Sequence, residues 1–138
     1  MWDTASGWFK TKHTDVISEH VYFKKVNLKP DNVRPVVLSE FGGYSCKIDG
    51  HVFNLDKSYG YKTLGNRQEL SAALLCLYRK QIIPAIKSGL CATVLTQVSD
   101  VEDEINGIVT YDRKVIKIDT DAFYELAKEI NTEFNKFI

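Results

Sequence analysis

Two short apolar segments on either side of one helical segment constrain the fold of this chain most. Each segment, PVVLS at residues 35–39 and CATVLT at residues 91–96, is a short and mostly apolar run. Between them, from about residue 67 to residue 87, apolar residues recur every three or four positions, which predicts a helix with one buried stripe. Short apolar runs are typical of strands that are buried in parallel sheets. The pattern predicts a β–α–β unit with parallel strands and a right-handed crossover.

Signals for both ends of this helix also occur in the sequence. Asn66 is a suitable N-cap, and Glu69 follows it in capping-box register. Pro84 is expected to kink the helix or to end its regular part, because proline lacks the backbone N–H of a helix interior. Gly89 then ends the helix before the second apolar segment.

Three further segments complete the assignment of an α/β fold. Residues 15–23 mix β-branched and aromatic side chains and predict a short strand. Residues 44–65 show no sustained period and predict a long structured loop, which in a compact domain is usually functional. The last helix should begin near residues 119–121. One stripe of it is predicted to be buried, formed by Phe123, Leu126, Ala127, Ile130, Phe134 and Phe137.

Composition excludes several classes of function. The 138 residues include 18 Lys and Arg against 18 Asp and Glu, so no basic surface for a nucleic-acid partner is expected. No apolar run approaches the roughly 20 residues of a membrane span, and the first ten residues do not resemble a signal peptide. The three cysteines, Cys46, Cys76 and Cys91, are predicted to be buried thiols without a disulfide or zinc pattern. We therefore expect a single cytoplasmic domain over residues 1–138.

Glu40 is the residue whose position most strongly indicates chemistry. It stands at the carboxyl end of the first apolar strand and is followed closely by Gly42 and Gly43. Ligands of parallel α/β folds bind at the carboxyl ends of the strands, so a carboxylate there points into a site. The alternative is that Glu40 caps a loop or lies on the surface without a function.

A second polar group begins at the end of the other strand, with Thr96 and Gln97, and so shares a face with Glu40. Four acidic residues between positions 100 and 104 are compatible with calcium binding. However, the twelfth position counted from Glu102 is Arg113, where an EF-hand loop requires a bidentate Glu, so no metal site is predicted. The preferred interpretation is a solvated acidic turn that pairs with Arg113 or Lys114.

Three other residues are candidates for contact with a ligand. His20 and Tyr22 alternate with Val21, which places them on one side of a strand, where they would orient a carboxylate or bind a polar ligand. Trp8 would stack on an apolar ligand face. The alternative for all three is an ordinary place in the interior. No glycine-rich phosphate loop follows a strand, so no nucleotide cofactor is expected, nor any other cofactor.

Several of these stretches together resemble glycoside hydrolase family 2, which includes β-galactosidases and β-glucuronidases. The strongest stretches are RPVVLSEFGGY at residues 34–44 and TQVSDVEDEING at residues 96–107. Shorter stretches follow the same order: TASGW at 4–8, DV at 15–16, HVY at 20–22, YGY at 59–61, LY at 77–78, GL at 89–90 and TYDR at 110–113. The likeness extends over roughly residues 3 to 118.

The resemblance implies a (β/α)8-barrel catalytic domain that hydrolyses β-glycosides with retention of configuration. Glu40 matches the nucleophile at the end of the seventh strand, and His20 and Tyr22 match the sixth strand, where a Tyr often hydrogen-bonds the nucleophile. Gln97 falls at the end of the eighth strand and is expected to contact the substrate, as is Trp8. Relatives commonly present an aromatic residue to the sugar at this strand end. In this chain the residue before Thr96 is Leu95, so the aromatic residue of the relatives is not matched here.

One departure from the family limits the expected activity. The acid/base of the family lies in an Asn-Glu pair after the fourth strand, and no Asn-Glu pair occurs in these 138 residues. Such a barrel also needs about 250 residues. We therefore expect a partial barrel, about strands six to eight with their helices, that is inactive alone. Its uncovered edges predict a homo-oligomer.

Two alternatives remain open. The first is a non-catalytic carbohydrate-binding or assembly subunit that keeps the pocket face. The second is an unrelated small α/β domain, which strands in different sheets or in antiparallel pairing would favour.

Overall fold

The structure is a computed structural model that describes residues 2–3, 7–9 and 12–137. Part of the TASGW stretch, residues 4–6, lies outside the described residues. The elements in chain order are β1 (Ile17–Val21), β2 (Val36–Gly42), β3 (Tyr44–Ser45), β4 (Lys62–Thr63), α1 (Arg67–Leu77), a π-helical segment (Tyr78–Ile82), α2 (Ile83–Ile86), β5 (Leu90–Thr96) and α3 (Thr120–Phe134).

Three of the strands form a parallel sheet in the order β1-β2-β5. The strands β2 and β5 are the predicted apolar segments, and the helix between them makes the predicted crossover. The register between β1 and β2 shifts after Glu19, so that His20 lies opposite Glu40. All three strands end at the same edge of the sheet, and this register brings the polar residues of that edge together.

The helix between β2 and β5 begins and ends close to the predicted positions. The Asn66 side chain accepts a hydrogen bond from the Glu69 backbone N–H at 2.8 Å, and Glu69 in turn accepts from the Gly65 N–H at 3.0 Å. The helix widens into the π-helical segment just before α2, where Pro84 lacks an N–H to donate. Gly89, at a φ of 91°, follows its last turn.

The helices cover one face of the sheet. Leu38 and Phe41 of β2 pack there with Leu77, Ile82 and Leu90 in the main hydrophobic cluster. A second cluster, under α1 and the start of α3, contains Cys46, Leu70, Leu74 and Ile118. Glu40 belongs to neither cluster, and its side chain is 40% exposed.

The coarse prediction of an α/β fold with parallel strands is confirmed, and no closed barrel is seen among the described residues. The connection from β1 to β2, residues 22–35, contains no helix, so the expectation that each strand carries its helix is wrong there. Pro30 and Pro35 interrupt this segment, and it lacks a helical repeat of apolar residues. In the described chain, β1 and β5 are the two outer strands of the sheet.

Two other expectations need correction. The stripe predicted for α3 is buried only at Leu126, while Ala127 and Phe137 are exposed, because the helix packs on α1 and α2 along one narrow line. Cys46 is buried as predicted, but Cys76 and Cys91 are exposed.

Residues 44–65 form the predicted long connection, although its ends, β3 and β4, pair in parallel. In the described part of the chain, we find no helix with both the length and the hydropathy needed to span a membrane.

Candidate active site around Glu40

Glu40 lies near the carboxyl end of β2, beside the ends of β1 and β5. Its carboxylate is on an open surface, because 40% of the side chain is exposed. Of its two oxygens, Oε2 faces Tyr22 and His20, while Oε1 has no hydrogen-bond partner among the described residues. One carboxylate oxygen is therefore held by the protein and the other is open to a ligand.

Tyr22 connects Glu40 to the neighbouring strand. Its hydroxyl lies 3.0 Å from Glu40 Oε2 and 3.0 Å from Thr96 Oγ1. An ionised carboxylate can only accept, so the single phenolic proton goes to Glu40 and the Thr96 hydroxyl donates to Tyr22. Burial raises the pKa of Tyr22 well above its ordinary value, and Glu40 adds to this effect. Tyr22 therefore remains a proton donor that fixes the direction of the Glu40 carboxylate.

His20 is the most buried group of the site. Its side chain is 3% exposed, and Nδ1 lies 3.3 Å from Glu40 Oε2. The angles at this short distance do not make a hydrogen bond, and neither ring nitrogen has a partner in the described chain. Buried polar atoms are nearly always hydrogen-bonded, so His20 has hydrogen-bonding capacity that the described residues do not use.

Trp8 lies against His20 and not in the interior. The indole edge meets the imidazole at a centroid distance of 5.2 Å, and the residue is 68% exposed. Gly7 makes this approach possible, since a Cβ at its φ of 82° would collide with the His20 ring. The interior alternative for Trp8 is therefore wrong, while its proposed role as a stacking surface stays a prediction.

An aromatic cluster borders Tyr22 on its other side. The Tyr61 ring stacks on Tyr22 at 4.4 Å, and Phe23 and Tyr59 meet Tyr61 edge-on at 5.4 and 5.5 Å. Phe23 is 77% exposed and Tyr59 is 49% exposed. A contiguous exposed aromatic surface beside a carboxylate is typical of a ligand site. Gly43, which has a φ of 66°, permits the close packing of Tyr61 on β2.

Gln97 follows Thr96 through a cis peptide bond and is already engaged with the protein. Its Nε2 donates to Asn106 Oδ1 at 2.6 Å and to Glu104 Oε2 at 3.1 Å. Asn106 is 2% exposed, and its Nδ2 has no partner among the described residues. Gln97 therefore uses its amide nitrogen to hold Asn106 and Glu104.

The acidic turn is held differently from the prediction. Asp100 does not pair with Arg113 or Lys114: its Oδ1 accepts from Lys117 Nζ at 2.7 Å, and both side chains are at most 1% exposed. Lys117 Nζ also donates to the carbonyls of Cys46 at 3.1 Å and Ile105 at 2.9 Å. Burial raises the pKa of Asp100 and lowers that of Lys117, and their contact opposes both shifts.

Sequence analysis did not predict the ion pair between Asp100 and Lys117, because Lys117 lies in no motif. Across the described ranges, no group of three or more His, Cys, Asp or Glu is arranged to hold a metal ion.

The structure thus brings four of the five predicted residues into one chain of contacts. Trp8, His20, Tyr22 and Glu40 are linked directly, and Gln97 joins through the adjacent Thr96. Sequence reasoning placed Thr96 on the same face as Glu40 but did not predict its contact with Tyr22, and it missed Tyr61 as part of the site. The only signal for Tyr61 was membership in the stretch at residues 59–61 that resembles the family.

Comparison with known proteins adds no assignment. A scan against protein-family models finds no model that matches this chain, and a search of curated proteins finds no match either. The resemblance to glycoside hydrolase family 2 therefore stays a prediction from the sequence. Any proposal for function depends on that resemblance and on the geometry of the site.

Proposed function

We propose that this chain carries the nucleophile side of a retaining β-glycosidase site, in which Glu40 attacks the sugar. The observation that carries the proposal is the hydrogen bond from Tyr22 to Glu40 Oε2, at 3.0 Å, with Thr96 behind it. A nucleophilic carboxylate must be held in a fixed direction, and a donor that is itself supported by a second hydroxyl serves this need.

The first chemical step uses Glu40 Oε1, the carboxylate oxygen that has no hydrogen-bond partner among the described residues. Oε1 attacks the anomeric carbon and forms a glycosyl ester while the bond to the leaving oxygen breaks. The leaving oxygen takes a proton from a second carboxylic acid, about 5–5.5 Å from the nucleophile in retaining enzymes. Water then hydrolyses the ester, and the second carboxyl group accepts its proton. His20, whose ring nitrogens make no hydrogen bond with the described residues, lies beside Glu40 and is available to contact the sugar.

The open sheet supports the view that this chain is part of a (β/α)8 barrel. Its three parallel strands correspond to strands six to eight, and the outer strands β1 and β5 are available to pair with further strands. Val94 of β5 is 55% exposed, as an unfinished barrel interior would leave it. Without an acid/base the chain alone is inactive on natural glycosides, and a homo-oligomer through the open edges stays a prediction.

A substrate that needs no acid tests the nucleophile directly. The 2,4-dinitrophenyl 2-deoxy-2-fluoro-β-glycosides of glucose, galactose and mannose carry a leaving group that departs without protonation. Their fluorine also slows hydrolysis of the ester. We expect the intact mass to increase by one fluoroglycosyl group with one of these sugars, and peptide mapping to place the group on Glu40.

Two variants control this experiment. Glu40→Gln should abolish the label. Glu125→Gln, which changes a carboxylate on α3 whose side chain is 60% exposed, should leave the label unchanged. The proposal is wrong if no sugar labels the wild type or if Glu40→Gln is labelled as well as the wild type. Saturable binding of the sugars without any label would favour the carbohydrate-binding alternative, which the exposed aromatic cluster also supports.

A further inference from the structure

A series of contacts links Glu40 to a second carboxylate, that of Glu104. Tyr22 binds Glu40 and Thr96 through its hydroxyl, at 3.0 Å each. Gln97 follows Thr96 in the chain and donates its side-chain amide to Glu104 Oε2 at 3.1 Å. Glu104 is half-buried, and its Oε1 has no hydrogen-bond partner in the described part of the chain.

Two other tyrosines, Tyr59 and Tyr61, connect Glu104 back to Tyr22. The Tyr59 N–H donates to the Asp103 carbonyl at 2.6 Å, and the Ile105 N–H donates to the Tyr59 carbonyl at 2.9 Å. This pairing places Tyr59 alongside Glu104. The Tyr59 ring meets Tyr61, and Tyr61 stacks on Tyr22. The two carboxylates thus belong to one connected set of residues, which we call the rim: Tyr22, Glu40, Tyr59, Tyr61, Thr96, Gln97 and Glu104.

The groups on this rim match a ligand that donates hydrogen bonds and carries no negative charge. Glu40 and Glu104 each use Oε2 in a hydrogen bond and leave Oε1 without a partner among the residues that the structure describes. Burial raises the pKa of Tyr61, and Tyr59, Glu104 and Glu40 all raise it further, so both carboxylates act on the same hydroxyl. A negatively charged ligand group between these two carboxylates would be repelled by both, and salt would weaken this repulsion.

Two buried groups independently support a ligand on this rim. The His20 side chain is 3% exposed, lies beside Glu40 and makes no hydrogen bond to the described residues with either ring nitrogen. Asn106, bound to the same Gln97 amide as Glu104, is 2% exposed, and its Nδ2 has no hydrogen-bond partner within the described ranges. Each group lies beside one of the two carboxylates.

We propose that Glu104 sets the charge specificity of this site, which takes a β-glycoside of a neutral or amino sugar and excludes a uronoside. The inference rests on the proposed function, because it assumes that the ligand at Glu40 is a β-glycoside. Hydroxyl and ammonium groups donate to the free oxygens of the two carboxylates. A sugar carboxylate would meet two like charges and would offer no donor in return.

Uncleaved thioglycosides test this specificity without any chemistry at Glu40. The probes are phenyl 1-thio-β-glucoside and phenyl 1-thio-β-glucuronide, which differ at C6, and the corresponding galactoside and galacturonide. Dissociation constants are measured by ligand-observed NMR at low and high salt. We expect the neutral member of one pair to bind about tenfold more tightly at low salt, and the difference to shrink at high salt.

Glu104→Gln keeps an acceptor for Gln97 and removes only the charge, so it should reduce the preference at least about threefold. The matched control is again Glu125→Gln, which should keep the full preference. The proposal is overturned if neither probe binds, if the uronoside binds as tightly as the neutral glycoside, or if Glu104→Gln keeps its fold by circular dichroism and its preference as well. A preference without any label on Glu40 would refute the proposed function and leave the charge specificity standing. A label on Glu40 without a preference for the neutral glycoside would support the proposed function and refute the charge specificity.

Discussion

Replacing Lys117 with methionine removes a buried ammonium group and keeps a side chain of similar length. In the wild type, Lys117 Nζ donates to Asp100 Oδ1 at 2.7 Å and to the carbonyls of Cys46 and Ile105 at 3.1 and 2.9 Å. Its side chain is 0% exposed and that of Asp100 is 1% exposed. After the substitution, Asp100 Oδ1 keeps the Gly107 N–H, at 2.8 Å, as its one donor among the described residues, and a buried carboxylate has lost its counter-ion.

The expected loss in the free energy of unfolding is about 3–5 kcal/mol at pH 7, which is typical when one member of a buried ion pair is removed. With a denaturant slope of about 2 kcal/mol per molar urea, the midpoint of unfolding falls by roughly 2 M. Urea titrations followed by far-ultraviolet circular dichroism measure this shift. Lys114→Met is the matched control: that side chain is 74% exposed, and the change should stay below about 0.5 kcal/mol.

The pH dependence separates loss of the charge from loss of packing. Burial already raises the pKa of Asp100, and Lys117 opposes this rise, so the pKa is higher still in Lys117→Met. The native variant then holds a proton at Asp100 to a higher pH than the unfolded chain does, and its stability falls as the pH rises. Its deficit against the wild type should therefore be smaller at pH 5 than at pH 8. A deficit below about 1 kcal/mol, or an equal deficit at both pH values, would refute this account.

Three further predictions follow from individual contacts. Thr96→Val removes the donor to the Tyr22 hydroxyl, a hydrogen bond worth about 0.5–1.5 kcal/mol. Labelling of Glu40 by the fluoroglycosides should therefore slow by roughly two- to tenfold. An unchanged rate would contradict a role for Thr96 in supporting Tyr22. Asn66→Ala removes the N-cap of α1 and should cost about 1 kcal/mol in urea unfolding, while an unchanged midpoint would show that the cap is not needed. The hydrogen bond from His51, together with other donors, lowers the pKa of Asp112 from 3.8 to about 2. Its stabilisation is present above the unfolded value and is lost as the pH falls through the folded one. Asp112→Asn should therefore lose stability less steeply than the wild type between these two pH values, and equal slopes would disprove the effect.

Local signals were sufficient for the secondary structure around the site. Asn66 and Glu69 predicted the start of α1 because a cap uses side chains within one turn of the helix. The apolar runs predicted β2 and β5, and the helical segment between them predicted a parallel pairing. Position at a strand end also singled out Glu40, since the carboxyl ends of parallel strands meet at one edge of the sheet.

Contacts across the chain were not predictable in the same way. The acidic turn was expected to pair with a nearby cation, yet Asp100 pairs with Lys117, which enters the interior between β3 and the turn. The stripe on α3 was expected to be buried along its length, yet only Leu126 is fully covered. Both outcomes depend on how segments distant in the sequence pack against each other. A helical period or a count of charges does not contain that information.

By itself, the sequence determined the three strands of the main sheet, the helix between β2 and β5 and the placement of Glu40 at a strand end, because each depends on neighbours within a few positions. Only the tertiary structure decided that Tyr22 binds Glu40 and Thr96, which lie 18 and 74 residues away. The register of three strands determines those distances, and a shift of one residue would turn the side chains to the opposite face. The surroundings of Glu40, and therefore its chemistry, are a property of the folded sheet.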